Sequence, residues 1–282
     1  MKKAVRISLI VATTLVILGS IIVIIAAASA EWDFTKLETA NSQTSSYEIT
    51  DVFSDILIKT DTADIVFLPS YDDKCKVVCY EKNKEKHSVS VLSGKLTVEI
   101  VDTRKWYDYI GINFTSPRIT VYLPKAEYSS LIIENSTGDI EIARDFLFEN
   151  VDISLSTGDI KCNASVAEDI KIETSTGDVC IDRVCCKNLI ASTSTGDISL
   201  RSVIAEEKIL LETDTGDIEL EASDAGEIFL QTSTGDVEGT LLSDKVFITE
   251  TDTGSVDVPR TITGGRCEIT TDTGDISIEI KR

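Results

Sequence analysis

One pentapeptide recurs eight times between residues 136 and 276. It reads Ser-Thr-Gly-Asp-Ile or a near variant, and its glycines are Gly138, Gly158, Gly177, Gly196, Gly216, Gly235, Gly254 and Gly274. The spacing is 19 or 20 residues throughout repeats 136–256, and one repeat, 252–256, carries Ser255 where every other copy has Asp. A fixed period of that length marks stacked supersecondary units, none of which can bury its own apolar face. On either side of each glycine the aliphatic residues alternate with polar ones: Leu131 and Ile133 before Gly138, Ile140 and Ile142 after it. A period of two is strand patterning. Each unit therefore holds two short strands joined at a glycine corner. The expected fold is all-β: a single-domain parallel β-solenoid, about 20 residues and two strands per coil, with a right-handed course.

Stacking explains the repetition. Equivalent residues of adjacent coils lie about 4.8 Å apart, so every coil must turn at the same place. Glycine supplies the positive φ that a sharp corner demands. The Asp after it and the Ser or Asp two before it are expected to bond N–H groups of their own turn. The Thr files are expected to form hydroxyl ladders.

A ninth, imperfect copy stands upstream in "ILIKTDTADIVF", 56–67, with Ala63 in the glycine place. The pattern then breaks. Residues 71–118 hold hairpin-like strands and read as an excursion that caps the N-terminal end, where an open sheet edge needs cover. "RITVYLPK", 118–125, is expected to re-enter as the next first strand, with Val121 and Leu123 inward. The solenoid domain is thus set at 47–282. At its far end "DISIEIKR" offers no cap beyond Glu279, Lys281 and Arg282.

The first thirty residues are of another kind. Lys2, Lys3 and Arg6 precede an apolar run from Ile7 to Ala30, long enough to cross a membrane. The basic flank puts the N-terminus inside and the rest outside. Residues 1–30 are read as a transmembrane anchor, with a cleaved signal peptide ending at Ala28-Ser29-Ala30 as the alternative. Residues 31–46 read as a polar tether. The net charge of −21 argues against nucleic acid as a partner.

Seven cysteines, an odd count, argue against a complete disulfide framework. Cys75 and Cys79 stand too far apart along a strand to bridge. With no CxxC and with His87 as the sole histidine, the spacing gives no zinc motif, and the thiols read as small hydrophobes. No cofactor is expected.

Three kinds of site come into question. The file Asp139, Asp159, Asp178, Asp197, Asp217, Asp236 and Asp275 could bind Ca²⁺. A bond from each carboxylate to backbone N–H, about 1.5–3 kcal/mol, outweighs a repulsion of about 1 kcal/mol between neighbours and needs no metal. Catalysis lacks a second histidine, a GxSxG, a phosphate loop or the loops that build a cleft. For a binding surface, the outward file six before the glycine carries Ile190, Leu210, Phe229 and Ile248 with polar neighbours, which suggests a partner or a second copy of the chain. Trp106, Tyr107, Tyr109 and Phe114 either stack on sugars or pack the cap.

The membrane-proximal start, the "YLPK" at 122–125 and the serial STGDI units of 136–276 resemble the bacterial "putative adhesin" β-strand-repeat family, over most of 47–282. The resemblance implies an exported, envelope-associated protein of Gram-positive type and carries over no catalytic residue. The sequence reading is a non-enzymatic, membrane-anchored, extracytoplasmic interaction module with a protein or glycan partner. The alternatives are an envelope-stress or regulatory accessory protein bound to a membrane partner, and a calcium-binding structural roll.

Overall fold

A computed structural model describes residues 2–29, 42–82, 85–102 and 116–281. Lys2–Ser29 is one helix, and within it Ile7–Ile25 is long and apolar enough to cross a membrane. The other described elements are strands. Most of the expected tether, 31–41, lies outside the described residues, as do Trp106, Tyr107, Tyr109 and Phe114. The tether also stops short of 46, because Ser42–Ile49 is a strand antiparallel to Cys75–Lys82.

The repeats form coils stacked in parallel and in register. On one face Ile133, Ile153, Ile172, Ala191, Leu211 and Leu230 stand in one file. On the other, Ile140, Ile160, Val179, Ile198, Ile218 and Val237 stand in another. All twelve are buried, so the two files are opposite walls of one core. Burial of apolar surface on both faces of a coil, by the coils above and below, supplies what no single coil could.

The first strand of several coils is long enough to bend and line a third side. Glu127–Thr137 and Leu147–Thr157 each run for 11 residues. Their early portions bring Tyr128 over Phe148 and Phe148 over Val166, and further along Cys186 lies over Ala205. Phe53 stacks on Tyr128 and Tyr128 meets Phe148 at a tilt, with centroids 5.9 Å and 5.7 Å apart. Side-chain volume falls along this file, from aromatic rings at one end to alanine at the other.

Spatial order departs from chain order at both ends. Lys95–Asp102 pairs with the outer side of Asp55–Lys59, while Glu127–Thr137 pairs with the inner side. On the opposite face Arg118–Leu123 and Ile140–Ile142 flank Asp64–Pro69 in the same way. Arg118–Leu123 is therefore a second strand, not the expected first strand, although Val121 and Leu123 do face inward. At the other end Gly265–Thr273 lies between Glu227–Thr234 and Lys245–Thr253. Ile276–Ile280 likewise lies between Val237–Leu241 and Val256–Asp257. The outermost coil there is 245–257, so the expectation that 276–282 forms the open end is corrected. Each end of the rod is thus covered by the coil that is second from the end in the chain.

Candidate functional site

The glycine corner comes first, because it carries most of the conserved chemistry of the repeat units. All eight glycines have φ between +126° and +159°. A Cβ on any of them would fall closer than 3.0 Å to the backbone carbonyl of the corner beneath. Glycine is needed both for its dihedral angle and for close backbone approach. Ala63, in the glycine place of the first coil, is absent from the positive-φ residues, so its corner takes another shape.

Two backbone groups leave the sheet ladder at each corner, the glycine carbonyl and the Asp N–H. The N–H of Asp159 donates to Asp139 Oδ1 at 3.0 Å, that of Asp178 to Asp159 at 2.9 Å, and the series continues through Asp197, Asp217, Asp236 and Asp275. The acceptor sits on the preceding coil, not in the same turn as the sequence suggests. The glycine carbonyls are met from inside: Thr193, Thr213, Thr232, Thr271 and Thr251 donate their hydroxyls to Gly177, Gly196, Gly216, Gly235 and Gly274, at 3.0 to 3.1 Å. The Thr three before the glycine serves the carbonyl beneath it rather than a ladder of hydroxyls. Each Asp Oδ1 is thereby committed to an amide. Bonds from the Ser255 amide and hydroxyl hold the Asp275 carboxyl below its ordinary value.

Ser255 now has a reason. Among the described residues its coil is outermost and no further amide lies beyond it, so a carboxylate there would have nothing to accept. The odd repeat marks the end of the rod, a signal that was legible in the sequence.

The outward apolar file holds for three of its four members. Ile190 pairs with Leu210, and Leu210 with Phe229. The next residue in space is Glu268, and Ile248 lies beyond it. The uninterrupted four-residue stripe is corrected for that reason: the last coil of the chain is threaded between Phe229 and Ile248. Ile190, Leu210 and Phe229 are half-buried, whereas Ile248 is 48% exposed. Lys208 Nζ sits 4.7 Å and Arg266 Cζ 5.4 Å from the centre of the Phe229 ring. Both cations can interact with the ring, and Arg266 is also paired with Glu268.

A second cluster lies inside the N-terminal end. Among the described residues Cys75–Lys82 and Glu85–Leu92 share a single residue pair, Lys82 with Glu85, and then part to opposite faces of the rod. Cys79 and Glu81, two apart, point the same way into the interior, and His87 faces them from the other wall. The backbone N–H of His87 donates to Glu81 Oε1 at 2.6 Å, and Nδ1 lies 3.2 Å from the same oxygen. Nε2 is 3.0 Å from Thr60 Oγ1, Ser45 Oγ donates to Glu81 Oε2 at 3.0 Å, and the Tyr47 hydroxyl donates to the His87 carbonyl. Thr60, His87 and Glu81 follow the hydroxyl–imidazole–carboxylate order that activates nucleophiles elsewhere, but they are 7%, 3% and 1% exposed and lie beneath the sheet. Nothing in the spacing of Cys79, Glu81 and His87 announced the cluster. It depends on two strands that leave a turn and separate.

All seven cysteines are free, and five are buried. Burial pushes the thiol of Cys162 up to about 11 and those of Cys186 and Cys267 up to about 12. Thiols so placed act as small apolar side chains. Cys185 is exposed.

No curated protein matches the chain. Among solved structures, a "putative adhesin" from Bacteroides fragilis NCTC 9343 is 16% identical, with 86% of this chain and 97% of that one covered and a TM-score of 0.38. A "putative adhesin" from Parabacteroides distasonis ATCC 8503 is 12% identical over 86% and 98%, with a TM-score of 0.42. A "putative lipid binding protein" from the same strain is 14% identical over 87% and 98%, with a TM-score of 0.36. The Toastrack DUF4097 profile matches residues 53–258 and again 183–282, a span that takes in the glycine-cornered coils and both reordered ends. With that match over most of its length, the chain belongs to the Toastrack DUF4097 family.

Proposed function

We propose that this chain is a non-enzymatic interaction module of the cell envelope, anchored in the membrane by residues 7–30, with its solenoid on the extracytoplasmic side. The lateral face around Ile190, Leu210 and Phe229 receives a protein or glycan partner. One observation carries this reading: three half-buried apolar side chains in adjacent coils, with Lys208 and Arg266 over the Phe229 ring, beside the polar file Ser192, Glu212 and Gln231. An apolar file edged by charge suits recognition better than solvation. The basic residues ahead of the apolar span Ile7–Ile25 favour the assigned orientation. The rigid, repetitive coils suit a surface that presents a partner site away from the membrane.

Crosslinking on intact cells tests the proposal. The wild-type chain is expected to capture a discrete partner that the Leu210→Lys and Phe229→Lys variants lose, while both variants keep their wild-type strand content. Equal capture by wild type and variants would reject this face. Capture of a second copy assigns self-association to the face, and capture of a membrane protein assigns the accessory role.

A further inference from the structure

We propose that Cys79, Glu81 and His87 form a three-ligand site for a divalent transition-metal ion of the zinc type. It stands apart from the lateral face and does not rest on the interaction reading.

The geometry carries the inference. One ligand atom from each residue lies within 4.8 Å of the others, and all three residues are buried. Two ligands bound at about 2.0–2.1 Å in a tetrahedral site stand a little over 3 Å from each other. The 3.2 Å between His87 Nδ1 and Glu81 Oε1 already has that separation. Cys79 supplies sulfur, which with imidazole and carboxylate makes a set that zinc accepts and that calcium and magnesium do not favour.

The surroundings are those of a supported ligand set. A metal-bound imidazole commonly donates its other N–H to a nearby oxygen, and a ligating carboxylate is itself hydrogen-bonded. Thr60 Oγ1 stands 3.0 Å from Nε2, the nitrogen turned away from Glu81. Ser45 Oγ holds Glu81 Oε2, and the Tyr47 hydroxyl fixes the His87 backbone. Charge also balances: a thiolate and a carboxylate together cancel a divalent ion, which a buried site requires. Binding displaces the Cys79 thiol proton to solvent, with no change of oxidation state. Three protein ligands leave one coordination position for water.

The location gives the ion a structural effect. Cys79 and Glu81 belong to one wall of the end cap and His87 to the other, and among the described residues these two strands share one residue pair. A shared ion would join the walls where the sheet does not.

The test uses the full-length chain in detergent, stripped with a chelator and dialysed against Zn²⁺ or Co²⁺. The expected result is one Zn²⁺ per chain and a melting temperature that falls on chelation. Cys79→Ala and His87→Gln are expected to weaken uptake at least tenfold, Thr60→Val by about 10–100-fold, and Cys75→Ala not at all. Co²⁺ should give the near-ultraviolet sulfur-to-cobalt band of a thiolate complex. Wild-type chain that takes up no more Zn²⁺ than the Cys79→Ala/His87→Gln double variant overturns the site. If a variant fails to fold, the wild-type cobalt spectrum decides, since a complex without the thiolate band also overturns it.

Discussion

The two ends of the rod solve one problem in different ways. At each, the outermost coil is not the terminal coil of the chain, and the chain's own first or last coil is held between two neighbours. Beyond that the ends diverge. The N-terminal end reverses strand direction: Cys75–Lys82 and Glu85–Leu92 close it antiparallel, and Ser42–Ile49 adds a further antiparallel strand. Its interior corner is filled by a buried polar cluster. The C-terminal end keeps its strands parallel to the last and stops by a change of chemistry, Asp to Ser at 255. Val246, Ile248 and Val256 remain exposed on that outer coil. What pins it is Lys245, itself buried, whose Nζ reaches Asp224 Oδ1 at 2.5 Å and Ser243 Oγ at 2.6 Å. Gly265, in register with Lys245, lies against the Gly226 carbonyl, where a Cβ would not fit. One end is sealed by topology, the other by a buried ion pair and a substituted corner.

Truncation should give the largest effect. A chain ending at 258 keeps the outer coil but loses the coil beneath it. Hydrogen exchange should show 245–257 unprotected, and that unpaired strand-forming segment should favour aggregation. A shorter chain ending at 242 should be the better behaved of the two. Comparable protection of 245–257 in the chain ending at 258 would break the inserted order.

Gly216→Ala comes next. Its Cβ would meet the Gly196 carbonyl, and its φ is +150°. A loss of about 3 kcal/mol or more is expected in a thermal or urea melt. Ala63→Gly, at the corner that does not use positive φ, should cost less than about 1 kcal/mol. Equal costs would show that the corners do not differ.

Lys245→Ala removes the partner of Asp224 in a buried pair and should cost about 3 kcal/mol. The loss should concentrate as faster exchange in 245–257, while the coils between 127 and 223 keep their protection. Uniform loss along the rod would deny the local pin.

The smallest effect is at the Asp file. Asp197→Ala strands the Asp217 amide and should lower the melting temperature by a few degrees. Ser255→Asp, on the outermost coil, should change it less. A Ser255→Asp variant clearly more stable than the wild-type chain would mean that another amide lies beyond the rod's end.

Much of this was legible in the chain. The period, the alternation and the glycine spacing give a parallel stack, and the inward files fall where the aliphatics predict. The odd serine of 252–256 even marks the terminal coil, though its meaning appears only once the neighbours are known. The partner of each Asp was misjudged by one coil, because a carboxylate's reach spans both its own turn and the next. The apolar stripe was judged from chain order, and Glu268 shows why that fails: a file is ordered by space.

The sequence by itself determined the coil, since register in a parallel stack follows from side-chain period and corner residues, which are local. Only the tertiary structure decided the order of coils at the two ends and the meeting of Cys79, Glu81 and His87. All coils present nearly the same edge, so local patterning cannot distinguish which neighbour a coil will choose. That choice rests on connection lengths and on long-range pairs such as Lys245 with Asp224, which no window of adjacent residues contains.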